Sequence, residues 1–467
     1  MKRDLIKNIQ IKKNIQKNLK MKTLVAYLII NLLYILLGSY IYFTKKIVNG
    51  FHYKEFSIGL KYLFIANIIV FIVILINKWK NKDLNSMKKP IYIGILLCVI
   101  LAIISTIFAY DINIALEGCW GRYEGLFSIL YYLSLMLLTT FISKKYKKII
   151  VNSILICGAI NAIYAICQIY NLFNVERIIH YESYWNDNMK LRVAVRKIWA
   201  LGFTNNPNFF GTYMLLCLSY SLGLFVDNKK KIKRFIYLII SILFMFGLLI
   251  SNTSAVAVGL FFVILYILIY CIKNKYYKEI IVIFTIIIST TFFAVKQEKT
   301  TLIKDIFKIG NETSEITKGN LDDDYGTGRI YIWKETLKVV PQYLLHGVGI
   351  DSFHKAFNGG ALIVQKPTKK ILYDKAHNEY LQLLVTQGIF ALASYLFIYS
   401  YAISKGTRMA FKDKQIYFVL PVVGYLVQAF FNISVIEVAP IFWIALGLCC
   451  TQEKKIDSGK EIKQTWI

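Results

Sequence analysis

The chain has 467 residues, 57% of them apolar and 18% charged, with a mean hydropathy of +0.51. A soluble domain carries roughly 45–50% apolar and about 25% charged residues, so a soluble globular fold, intrinsic disorder and a collagen-like repeat are excluded. The 56 basic against 27 acidic residues leave a net charge of +29. Those Lys and Arg are dealt out between apolar runs and do not cluster on one soluble face, which argues against a nucleic-acid partner. The eight cysteines lie mostly inside the same runs and no Cys-x-x-Cys spacing occurs, so neither a disulfide framework nor a cysteine metal centre is expected.

In chain order, apolar runs of spanning length, about 20 residues each, fall at 24–43, 58–77, 91–110, 125–143, 149–170, 208–226, 235–251, 254–272, 279–295, 380–402, 415–432 and 434–450. The pattern predicts an all-α polytopic membrane protein with about 12 transmembrane helices. The first run is too long for a signal-peptide core and lacks a small-residue cleavage site, so it is expected to remain as an anchor. Pro421 and Pro440 are expected to kink the last two helices.

Counting Lys and Arg sets the orientation. With the N-terminus inside, the cytoplasmic segments carry 33 basic residues in 84, and the three shorter outer connections carry 9 in 65. The excess on one side predicts both termini in the cytoplasm. The chain then divides into a basic cytoplasmic tail (1–22), helices one to nine (23–295) with an outer loop at 171–207, a large extracellular loop domain (296–378), helices ten to twelve (379–450) and a second cytoplasmic tail (451–467). The first tail is expected to face anionic lipid. The large loop reads as a small helical cap. Its apolar spacing runs from Arg329 through Ile332, Trp333 and Leu337 and stops before Pro341. Gly347 and Gly349 mark a turn, and Phe353 and Phe357 suit another short helix.

Ion-driven transporters place ionisable side chains near the bilayer midplane. Apart from Glu279 at the very start of the ninth run, only Lys61 and Glu437 fall within apolar runs, each within about one helical turn of the outer end. Neither suits a proton relay, and no paired short, broken segments mark an inverted repeat. The chemistry is expected at the outer interface, where four polar motifs meet apolar runs. These are Gly121-Arg122-Tyr123-Glu124-Gly125; Gly202 to Asn208 with Asn206-Pro207-Asn208, preceded by Arg192, Arg196 and Lys197; Gly328-Arg329 with Trp333 and then Gly347-Val348-Gly349; and Ala376-His377-Asn378-Glu379-Tyr380.

Taken singly, each motif has a bland explanation. An Arg at a helix end snorkels, and Asn-Pro-Asn is an ordinary turn and N-cap signal. His52, His180, His346 and His354 read as solvated surface residues, and Asp322-Asp323-Asp324 as a solvated loop, so no metal and no cofactor are expected. Together the motifs suit one reaction. Arg is adapted to bidentate recognition of phosphate oxygens, and His, with an ordinary pKa of about 6.5, serves as a general base near neutral pH. Attack by a hydroxyl on a carbon bearing a pyrophosphate needs both a base and fixed positive charge for the leaving group. No nucleotide is available outside the cell, so a lipid-linked oligosaccharide is the natural donor.

At these residues the chain resembles the O-antigen ligase and O-antigen polymerase family of membrane glycosyltransferases. The resemblance rests on helix count and order, on Gly202 to Asn208, on Gly328-Arg329 with Trp333 and Gly347-x-Gly349, and on His377-Asn378 with Gly388 following. It implies a metal-independent inverting transfer of glycan from an undecaprenyl pyrophosphate carrier to a glycan, lipid or protein acceptor, with membrane lipids and other polysaccharide-assembly membrane proteins as neighbours. It also implies that His377 is the essential base and that Arg329 contacts pyrophosphate or glycan. Arg122, Arg192, Arg196, Asn206, Asn208, Trp333 and Asn378 complete the expected site, on the extracytoplasmic face of the cytoplasmic membrane. The chain departs from the family pattern at Trp199 and Ala255, where many members have Arg, so either Arg192 or Arg196 substitutes or the donor is held differently. A flippase or exporter of lipid-linked glycan is the alternative reading.

Overall fold

The computed structural model describes residues 19–41, 53–83, 87, 89–175, 179–185, 191–198, 200–319, 322, 325–357, 362–366 and 369–451. Most of both tails, His52, Trp199, Asp323 and Asp324 lie outside the described residues. Among the described residues, eight helices are long and apolar enough to cross a membrane. They are α1 (Leu19–Ile41), α2 (Tyr53–Lys80), α3 (Pro90–Ile107), α6 (Lys144–Tyr170), α7 (Pro207–Asp227), α8 (Lys231–Ile250), α9 (Ser254–Asn274) and α10 (Tyr277–Lys296). The short α4 (Ile112–Glu117) precedes α5 (Leu126–Thr140), which fills the fourth apolar run with only 15 residues.

Burial sorts these helices by their small and polar residues. α7 is enclosed on all sides, and its glycines let neighbours approach closely. A Cβ at Gly223 would lie 2.5 Å from the Tyr417 Cα, and one at Gly211 would lie 2.7 Å from Ser251 Oγ. α2 and α10, rich in outward-facing Ile and Phe, form the rim. The start of α7 is fixed locally: Asn206 Oδ1 accepts from the Asn208 N–H at 2.9 Å, and Pro207 occupies the first turn, where its missing N–H has no helical partner to lose.

The last three apolar runs differ from the sequence reading. The tenth is broken at Gly388 into α13 (Glu379–Gln387) and α14 (Ile389–Asp413). The physical reason lies in the loop before it. Val348 N donates to Val385 O at 2.9 Å and Gly349 N to Thr386 O at 3.1 Å, while Ile389 N donates to Leu344 O at 2.8 Å. The Gly347–Gly349 segment thus occupies carbonyls that a continuous helix would keep for itself, and Gly388 turns the chain at φ +85°. The eleventh run holds α15 (Leu420–Gln428) between 3-10 turns at Ile416–Phe418 and Ala429–Phe431, and the twelfth holds the short α16 (Ala439–Cys449). Pro421 and Pro440 sit in the first turns of these helices and start them, so the expected kinks do not form.

The loop region is folded, but it is not purely helical. β1 (Ile179–Trp185) and β2 (Leu191–Ile198) form one antiparallel hairpin and β3 (Leu362–Lys366) with β4 (Lys369–Tyr373) another. The first hairpin precedes α7, and the second follows α11 (Leu302–Thr317), α12 (Arg329–Val339) and a 3-10 turn at Phe353–Ala356. The cap has a small core of its own, Ile332, Val348, Phe353, Ala356 and Ala376, which closes on Val385 of α13. The expected solvated surface histidines in the cap are half-buried instead. His346 bonds Gly347 O at 2.8 Å and packs on Phe108, and the His354 Nδ1 is enclosed.

The glycine clasp gives a direct test. A Cβ at Gly347 would lie 2.2 Å from the Thr386 backbone at φ +77°. Gly347→Ala should cost about 2–6 kcal/mol, adding left-handed strain of about 1–3 to overpacking of similar size. Gly310→Ala in α11, with nothing within 4 Å, should stabilise by about 0.5–1 kcal/mol. Thermal unfolding of both variants in detergent reads the contrast; equal midpoints would refute the clasp.

Candidate functional site

The segment from Tyr373 to Asn378 joins β4 to α13, and its geometry is built from the backbone outward. Asn378 caps α13, its Oδ1 accepting from Tyr380 N at 3.0 Å and Leu381 N at 3.1 Å. The residue before it, His377, is left-handed at φ +49°, a region sparsely used outside Gly but enriched in Asn, Asp and His. Its neighbour holds it there. Ala376 N donates to Gln382 Oε1 at 2.9 Å, and Ala376 O accepts from Trp333 Nε1 at 3.1 Å. Trp333 of α12 therefore positions the histidine segment.

Three of the four polar motifs reach His377. Arg122 Nε donates to Asp374 Oδ2 at 2.7 Å, and its guanidinium lies 6.0 Å from the Phe209 ring in the first turn of α7. Arg329 opens α12 directly after Gly328, which is left-handed at φ +85° and packs under the Tyr373 hydroxyl. Its Nη1 donates to Gly326 O at 3.0 Å. The Tyr373 ring stands edge-on to the His377 ring at 6.5 Å. The Asn206 motif joins only through Phe209 and Arg122, whereas α12 begins at Arg329 and α13 two residues after the histidine.

Electrostatics follow from this packing. Burial, reinforced by the Arg329 guanidinium, pushes His377 down to about 4, with Asp374 opposing. The imidazole is therefore neutral at ordinary pH and able to accept a proton. Asp374 is held below the usual carboxylate range: burial opposes ionisation, but Arg122, Lys375 and His377 outweigh it.

Beneath this layer is a buried ionic knot that the sequence reading missed. Lys375 pairs with Asp351 and lies 3.9 Å from Glu124, the three side chains being 4%, 0% and 7% exposed. Asp351 Oδ2 also accepts from Cys119 N at 2.6 Å and Glu124 N at 3.1 Å. Glu124 Oε1 accepts from Tyr132 at 3.1 Å and Ser434 at 2.8 Å. Burial alone would push Lys375 down, but Asp351 and Glu124 carry it above its ordinary value; burial raises Glu124. The knot lines a cavity of about 50 Å³ that also borders Glu379, whose Oε2 accepts from Tyr425 at 3.1 Å.

The expected site residues fall into groups. His377, Arg329 and Arg122 come together. Asn206, Asn378 and Trp333 spend their polar atoms on caps and on Ala376 O, and Asn208 supplies its N–H and C=O to the first turn of α7. Arg192 and Arg196 lie on β2, paired in register with Tyr184 and Tyr181; their side chains lie outside the described residues. Glu124 lies within a quoted motif and Lys375 adjoins another, which was the available signal, whereas nothing ties Asp351 to either.

Lys375→Met should destabilise the protein by about 3–5 kcal/mol, because it leaves buried carboxylates uncompensated. Adding Asp351→Asn should restore part of that loss. Detergent melting of the single and double variants checks it, and a double variant no better than additive would refute the pairing.

Residues 236–396 match the family model described as O-antigen ligase. No curated protein matches the chain. The matched stretch, about a third of the chain, runs from α8 into α14 and contains Arg329, Trp333, His377 and Asn378, while Arg122 and Asn206 precede it. Its fold is that of a multi-pass membrane protein, with eight helices of spanning length among the described residues. Over residues 236–396 the chain is thus similar to the O-antigen ligase family model.

Proposed function

We propose that the protein transfers glycan from an undecaprenyl-pyrophosphate-type carrier to an acceptor hydroxyl, at the extracytoplasmic face of the cytoplasmic membrane. One observation carries the reading: a neutral imidazole clamped in a left-handed turn, with Arg329 and the Arg122–Asp374 pair around it. The orientation is supported by the distribution of Lys and Arg, which leaves the loop domain outside.

In the proposed reaction His377 takes the proton of the acceptor hydroxyl as the oxygen attacks the anomeric carbon. The bond from that carbon to the pyrophosphate oxygen breaks, and the carrier pyrophosphate leaves with its electron pair. A single displacement inverts the anomeric centre. Arg329 and Arg122 supply the fixed positive charge that the leaving group needs, so the step requires no metal. A base near pKa 4 is weak in the free protein. A pyrophosphate arriving beside Arg329 offsets the guanidinium that depresses His377, so donor binding strengthens the base.

The pH dependence follows in sign. The free protein loses its base only as pH falls toward about 4, where the imidazole protonates. kcat/KM should therefore be flat on the acid side until near that value. In Arg329→Gln the second-largest depressing influence is gone, so the acid limb of the residual rate should move to higher pH, toward 6.5. A limb that stays in place would contradict the assigned coupling.

His377→Ala should lower turnover by about 10²–10⁴-fold, the usual worth of a positioned base. Glycan length on the extracted carrier then separates the two forms of the reaction. Single repeat units mean polymerisation, and long chains stranded on the carrier mean ligation to another acceptor. An unchanged carrier pool would sink the proposal.

A further inference from the structure

α11 begins where four spanning helices end. Thr301 N donates to Asn252 Oδ1 at 2.6 Å, in the turn between α8 and α9. Lys299 Nζ lies 5.0 Å over the Tyr170 ring at the end of α6, and Lys299 N donates to Ala294 O in the last turn of α10. A helix starting at that level either stands up into water or runs along the membrane surface.

Its residues decide between the two. Leu302, Ile309 and Ile316 share the face turned toward the protein, with Leu302 fully buried. Ile303, Ile306 and Phe307 form a second apolar stripe with Gly310 at spacing i, i+3, i+4, i+7. These three side chains are 39%, 49% and 71% exposed, and nothing lies within 4 Å of the Cβ position at Gly310. The end of α10, which leads toward α11 in the chain, also exposes apolar side chains at Phe292, Phe293 and Val295. Lys304 and Lys308 project to one side of the stripe, both exposed.

We propose that α11 lies along the bilayer surface, with Ile303, Ile306, Phe307 and Gly310 sunk into the boundary between headgroups and acyl chains. Lys304 and Lys308 reach back to lipid phosphates while their stems cover apolar surface. α11 starts at the level where spanning helices end and just after the exposed Phe292, Phe293 and Val295 of α10, which is why lipid and not a second protein is its occupant. The same helix is bonded to the site: Glu312 Oε2 accepts from Gly326 N at 3.0 Å, and Gly326 O accepts from Arg329. Setting the height of Arg329 over the bilayer is a use of α11 that rests on the donor reading above; the bilayer contact does not.

The test places a nitroxide along the helix. Among the cysteines only Cys119 is not buried, so the background is the full chain with Cys119→Ser. Ile303→Cys, Ile306→Cys, Phe307→Cys, Lys304→Cys and Lys308→Cys are labelled singly and reconstituted in vesicles of phosphatidylethanolamine and phosphatidylglycerol. Collision with oxygen should exceed collision with a water-soluble nickel chelate at the first three positions, and the order should reverse at the two lysine positions. Nickel dominating throughout would mean the stripe faces water. A label at position 307 shielded from both probes would mean that protein covers it. Either result overturns the proposal, and because the readout involves no turnover it stands or falls apart from the transfer reaction.

Discussion

A lysine withdrawn from water between carboxylates is the constraint on which the rest of the site depends. Taking charged groups out of water costs several kcal/mol per ion, and that cost is offset only where every partner is in place. Lys375 meets Asp351 and Glu124, Asp351 takes the N–H groups of Cys119 and Glu124, and Glu124 takes two hydroxyls. Three stretches far apart in sequence, around 118–124, 351 and 375, are thereby joined at one point. Ala376, His377 and Asn378 follow immediately, so the place of the histidine is inherited from the ion pair.

Above the knot the charges are arranged differently. The Arg122–Asp374 pair is partly open to water, at 24% and 35% side-chain exposure, and His377 is held neutral between it and Arg329. On the proposed reading these are two consequences of one field. Cations that make the imidazole reluctant to protonate also favour an anion beside it, and the anion's own charge then relieves the histidine. Were the buried lysine placed in this upper layer instead, it would depress the base further with no carboxylates to balance it.

The spanning helices were the most legible part of the chain, because eight apolar runs became helices of the expected length and place. What the sequence hid is set by competition between distant backbones. The run 380–402 reads as one helix because every residue in it except Gly388 suits one, and only the approach of Gly347–Gly349 takes away its carbonyls. The hairpins have no signal comparable to the apolar runs, since a pair of five-residue strands is fixed by where its ends are anchored. At the site, Arg122, Arg329 and His377 were legible because a charged or titratable residue at a helix boundary is conspicuous. Asp351 was not: its partners stand 24 residues after it and over 220 before it, and only the fold brings them together.

The motif asparagines show how much of a recognisable pattern is scaffold. Asn206 and Asn378 look like ligands in sequence, yet each spends its side-chain oxygen capping the helix it precedes. That use is not separate from the chemistry. Capping fixes where α7 and α13 begin: α13 starts two residues after His377, and α7 places Phe209 against the Arg122 guanidinium that pairs with Asp374. An Asn that caps a helix also fixes where it starts, so the caps shape the site without contributing a charge of their own. His377 is thus held neutral first by its burial and then by Arg329, while the short polar residues decide where the helices that enclose the segment begin.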